Sequence, residues 1–170
     1  MKYKAVCFIL GFALSDMAYA EDINDLFAAA MTGKVERVES LLAQGIDVNG
    51  RTASQRTALM AASFSGNRRI VKTLLGYGAN VNLADNAGNT ALMDALVFGH
   101  EAIVSLLIAA GADVNAADKQ NVTVMVKGQK TGDEAIIKLL EKAGAREEGD
   151  RPIEDTPPKT PNAGQPEQKK

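Results

Sequence analysis

Residues 88–115 read GNTALMDALVFGHEAIVSLLIAAGADVN, and this stretch decides the fold. Thr90 precedes the apolar run Ala91-Leu92-Met93, and its hydroxyl is placed to accept from the first free amides of a helix. Ala95 leaves room for a close neighbouring helix, and Gly99 stops the helix with a residue that tolerates positive φ. Glu101 to Ala110 is predicted as a second helix, because Ile103, Val104, Leu106 and Leu107 recur at helical spacing. Gly111 ends it, and Asp113-Val114-Asn115 leads into turn-forming residues.

The same pattern recurs along the chain. Thr57, Thr90 and Thr123 stand 33 residues apart, as do Gly33, Gly66, Gly99 and Gly132. Leu41, Leu74, Leu107 and Leu140 share the interval, and so do Gly45, Gly78, Gly111 and Gly144. Asn49, Asn82 and Asn115 form a fifth column. Neither helix of such a pair can bury its apolar face alone, so successive pairs must stack, and about three or more units are needed for stability. The expectation is an all-α solenoid of four helix-turn-helix units with projecting β-turn loops on one edge.

The unit length, T-A-L-M at Thr57 and Thr90, and T-L-L-G-Y-G-A-N-V-N after Lys72 resemble the ankyrin repeat. The resemblance covers roughly Glu21 to Ala145, in units of about 21–52, 53–85, 86–118 and 119–145. There are departures. The family's T-P-L-H is T-A-L-M in units two and three, T-V-M-V at Thr123 and N-D-L-F at Asn24. The missing Pro removes a helix-start preference. The missing His removes a link between repeats, in whose place Met60 and Met93 are expected to pack. Unit four carries β-branched residues from Val122 to Val126, and Gly128 stands where units two and three have Ala62 and Ala95. Its first helix is expected to be short or frayed.

Residues 1–20 are read as a secretory signal peptide, not as part of the fold. Lys2 and Lys4 precede the apolar run Ala5 to Leu14, and Ala18-Tyr19-Ala20 supplies small residues for cleavage after Ala20. The run is too short for a stable membrane span, so no membrane insertion is expected after cleavage. Cleavage removes Cys7, the one cysteine of the chain. It also removes Lys2, Lys4 and Asp16, moving the net charge from −2 to −3. A faintly acidic exported protein is a poor candidate for nucleic acid. Residues 146–170 hold all five prolines and are expected to be a disordered tail.

Catalytic groups are scarce. Without Cys7 there is no thiol, and His100 is the single histidine. A Cys/His pair or a His-rich metal site is therefore ruled out. Asp85 and Asp118 fall in successive loops, where the family uses Asp as a turn residue. Met60, Met93 and Met125 lie in or beside one inner-helix column, which reads as core. No catalytic residue, metal or cofactor is expected.

The resemblance implies a concave face of loop tips and inner-helix ends that contacts a protein partner. Its columns give Arg51, Ser54 and Arg56, then Asn86 and Asn89, then Lys119, Gln120 and Val122 at the loops. Before the stop glycines they give Phe64, Ser65, Val97, Phe98 and Lys130. Phe98, a large aromatic on a face the core does not require, has the composition of an interface anchor. Phe64 reads equally as an anchor or as a ring folded under its neighbouring loop. The expected function is a non-enzymatic, monomeric, protein-binding module in a bacterial periplasm, its partner an exported enzyme for example. The alternatives are a structural or envelope-maintenance protein and a secreted effector acting on a host protein.

Overall fold

The computed structural model describes residues 22–146. The signal-peptide reading of residues 1–20 and the tail from 147 onward lie outside them. Eight helices form four antiparallel pairs: α1 (residues 22–31) with α2 (Val35–Ala43), α3 (Ala58–Phe64) with α4 (Arg68–Gly76), α5 (Ala91–Val97) with α6 (Glu101–Ala109), and α7 (Val124–Thr131) with α8 (Glu134–Lys142). The described residues contain no strand, only antiparallel bridges Ala84–Thr90 and Ala117–Thr123 that close the turns before α5 and α7. The expected all-α ankyrin-repeat solenoid is the fold. Odd-numbered helices stack in one layer and even-numbered ones in a second.

The threonine column starts the inner helices of units two to four. Thr57, Thr90 and Thr123 each accept from the amide three residues on, that of Met60, Met93 or Val126. Each bond satisfies one of the amides a helix start leaves open. Unit one departs, since α1 is already helical at residue 22, ahead of Asn24 in that column. The core runs through all four units. Leu26, Met60, Met93 and Met125 are buried in the inner layer, and Leu41, Leu74, Leu107 and Leu140 in the outer one. Burying each such side chain contributes about 2 kcal/mol.

The asparagine column crosses between units. The side-chain amides of Asn49, Asn82 and Asn115 donate to the carbonyls of Gly78, Gly111 and Gly144 in the following unit, at 3.4, 3.0 and 3.3 Å. Their Oδ1 atoms accept from the amides of Asn80, Asp113 and Arg146, at 2.7, 2.8 and 3.0 Å. His100 makes a further link: its Nε2 lies 3.2 Å from the carbonyl of Phe64 one unit back. Its ring fills the space beside Gly66, where an added Cβ would come within 2.7 Å of Cε1.

One expectation is corrected. The first helix of unit four is neither short nor frayed: α7 has 8 residues against 7 in α3 and in α5. The packing around Gly128 lets α7 carry its glycine. Leu140 of α8 occupies the place a Cβ would take, so glycine's poor propensity is offset by close packing of the two helices.

Candidate functional site

The face built by the inner helices and turns divides into a buried charged network and an exposed apolar strip. The network starts from two positions one repeat apart. Asp94 on α5 and Lys127 on α7 stand where units one and two have Ala28 and Ala61. Each is met by a residue 38 positions earlier, at the end of the preceding turn. Arg56 pairs with Asp94, and the Lys127 amine donates to Asn89 Oδ1 at 3.1 Å. Lys127 also lies 2.8 Å from Asp118 Oδ2. The Arg56 guanidinium sits over the rings of Phe27 and Phe64, 5.9 and 6.0 Å from their centroids. It thus ties units one, two and three together.

The carboxylates of this network titrate in opposite directions. Burial pushes the Asp94 carboxyl up from 3.8 to about 6, against the pull of Arg56; nearby Asp85 adds to the rise and Lys127 opposes it. The hydrogen bond from Lys127 holds Asp118 below its ordinary value, helped by the amides of Val122 and Gln120. Asp85 and Asp118 also brace their turns. Each Oδ1 accepts two backbone amides, from Ala87 and Asn89 at 2.8 and 2.9 Å, and from Gln120 and Val122 at 3.0 and 2.9 Å. The turn reading of these two residues therefore agrees with the geometry.

Three of the residues read from sequence as loop contacts are half-buried: Arg56, Asn89 and Val122, the last in a groove between α5 and α7. Arg56 is half-buried in its pair with Asp94, not an exposed rim charge. Asn89 is half-buried as well, holding Lys127. Both lie at the turn's inner end, over the next inner helix. Arg51, Ser54, Asn86, Lys119 and Gln120 are exposed at the turns. Arg51 Nη1 donates to Gln55 and to the Ala84 carbonyl, at 3.0 and 3.3 Å. The backbones of Ser54 and Asn86 join successive turns at 3.1 Å. Ser65 is exposed, and its hydroxyl donates to the carbonyls of Ala30 and Ala62 at 3.4 and 3.3 Å.

The remaining positions come together. Phe98 is 63% exposed and Val97 58%, the two most exposed large hydrophobics among the described residues. Phe64, half-buried, meets Phe98 edge-on with centroids 5.1 Å apart. It serves the fold through Arg56 and supports the exposed ring beside it. Val97, half-buried Val122 and exposed Lys130 line a groove of about 280 Å³ between α5 and α7, floored by Met93 and Leu96. Sequence reasoning missed Asp94 and Lys127. The available signal was opposite charges 33 residues apart in a column that elsewhere holds alanine.

Among the described residues, no group of three or more His, Cys, Asp or Glu side chains could hold a metal ion. No described helix is long and apolar enough to cross a membrane. A family model described as ankyrin repeats (3 copies) matches residues 5–85 and 26–118, more than half of the chain. The protein belongs to the ankyrin-repeat family, whose stacked units are protein–protein interaction modules. No curated protein matches the chain closely.

Proposed function

We propose that the chain is exported to a bacterial periplasm and there binds one protein partner, such as an exported enzyme, without catalysing a reaction itself. The binding surface is the face of inner helices and turns in units two to four. The observation that carries this reading is the adjacent exposure of Phe98 and Val97 on that face, beside the groove between α5 and α7. An exposed aromatic over a supporting ring is the arrangement of an interface hot spot. Export is supported by Lys2 and Lys4, the apolar run to Leu14 and the Ala18-Tyr19-Ala20 site.

The test is capture of a partner from the cell envelope with tagged protein, followed by titration of variants. Phe98→Ala is expected to weaken binding by about 2 kcal/mol, roughly thirtyfold, with an unchanged circular dichroism spectrum. Lys72→Glu, at an exposed position on α4, is expected to bind normally. Normal binding by Phe98→Ala together with loss in Lys72→Glu would place the interface on the outer helices. N-terminal sequencing of the same preparation should start at Glu21; an intact Met1 in a cytosolic fraction overturns export.

A further inference from the structure

The two ends of the stack are finished differently. Val38, Val71 and Val104 form a buried column of the outer helices, one position after the buried column of Ile70, Ile103 and Ile136. In unit one the second of these columns holds exposed Arg37, which pairs with Asp25. In unit four the first column keeps an apolar residue, Ile137, yet leaves it half-buried. Val126 does the same on α7, where units two and three bury Met60 and Met93. A column buried in the preceding units and uncovered in the last faces the neighbour that the last unit lacks. Terminal units of a stack need a polar outer face. Exposed Gln129, in the buried column of Ala30, Ser63 and Leu96, supplies only part of one. Ile137, Val126 and Gln129 stand apart from the residues that line the groove between α5 and α7.

The chain leaves unit four on the path of its earlier turns. Asn115 holds the Arg146 amide as Asn49 and Asn82 hold those of Asn80 and Asp113. Ten residues after Asn80 and Asp113 come the cap threonines Thr90 and Thr123, and ten after Arg146 comes Thr156. Pro157 follows it, at the first helical position, where a missing amide costs nothing and φ is already set. Pro157 and Pro158 fall in the columns of Val124 and Met125, buried in unit four as Ala91 and Leu92 are in unit three. Pro161 removes the amide of the next helical bond, so an inner helix could not pass its first turn. We infer that residues 147–158 form a fifth, truncated turn that closes the open end of unit four, with Pro157 and Pro158 covering Val126 and Ile137. This replaces the expectation of disorder for residues 147–158. A closed end keeps further copies from adding to the stack.

One amide of the full chain reports on the fifth turn. Thr52, Asp85 and Asp118 each donate from the backbone to a carbonyl further along the same turn, that of Arg56, Asn89 or Val122, at 3.0, 3.0 and 3.1 Å. The same position in the fifth turn is Arg151, donating to Asp155. Hydrogen exchange at the Arg151 amide should be about tenfold or more slower than in a free peptide of residues 147–170. Nuclear Overhauser contacts should join the Pro157 or Pro158 ring to the methyls of Val126 or Ile137. Thr156→Gly together with Pro157→Gly should bring exchange at Arg151 to the free-peptide rate, while the amides of α5 stay protected. Ile137→Gln should speed it as well, and Pro166→Gly, further along the same segment, should change nothing. Free-peptide exchange in the unsubstituted chain overturns the inference, and so does slow exchange that survives the paired glycine substitutions. Slow exchange that is lost on dilution, with a dimer in sedimentation, also overturns it, since a second copy would then cover the end.

Discussion

Units three and four place opposite charges at one structural position. Asp94 and Lys127 occupy the same site on successive inner helices, and each is met from the turn 38 residues earlier. Around Asp94 the preceding turn supplies Arg56, but the turn that leads into α5 supplies Asp85, a like charge. Around Lys127 the preceding turn supplies neutral Asn89, and the turn that leads into α7 supplies Asp118, an opposite charge. The repeat dictates where a polar group enters the stack and leaves its sign open, provided the facing turn changes with it. The consequence is energetic. In unit three a buried carboxylate is ionised at a cost that Arg56 only partly offsets, whereas in unit four the ion pair and the turn support each other.

The largest effect should come from removing the turn aspartates in parallel. Asp118→Ala takes away two turn bonds and leaves Lys127 with neutral Asn89 alone, so a loss of about 3 kcal/mol is expected in chemical denaturation. Asp85→Ala removes the equivalent two bonds but relieves Asp94, so about 1 kcal/mol is expected. Equal losses would show that the charge contrast carries no weight.

Asp94 sharpens the comparison through pH. Its folded value, about 6, lies above the ordinary 3.8, so the folded chain holds this proton more tightly than the unfolded chain does. The stability it contributes is complete below 3.8 and is lost as pH rises through about 6. Asp94→Asn should therefore match the wild type near the acid end and exceed it at pH 7 by on the order of 2 kcal/mol. Asp118, held low by Lys127, has the opposite sign: its contribution is present above the usual carboxylate range and is lost on acidification. Urea midpoints across this range decide the matter; a pH-independent difference for Asp94→Asn would remove the burial argument.

The smallest effect concerns packing at the column of Ala95 and Gly128. Ala95→Gly should cost about 1 kcal/mol through backbone entropy. Gly128→Ala gains that propensity but drives a methyl into Leu140, so a net loss of about 1 kcal/mol is expected instead of a gain. A higher melting temperature for Gly128→Ala would mean that α8 yields without penalty.

Much of this architecture was legible beforehand. The threonine caps, the leucine columns and the period of 33 define pairs of helices that only stacking can bury. The exposure of Phe98 followed from its place beside a stop glycine, outside the apolar columns. Helix propensity misled at unit four, because the packing of Leu140 outweighed it. Arg56 and Asn89 were read as loop tips because their columns border the turns, while their partners lie 38 residues away.

By itself, then, the sequence determined the repeat, the order of its helices, their caps and the residues of the core, since each rests on local spacing that recurs in every unit. The tertiary structure decided which charges are buried and what answers them, how Phe64 is shared between the fold and the surface, and why α7 tolerates its glycine. These depend on residues from neighbouring units being brought into contact and out of water. Desolvation and close packing act across that contact, between positions whose spacing along the chain carries no periodic mark of their pairing.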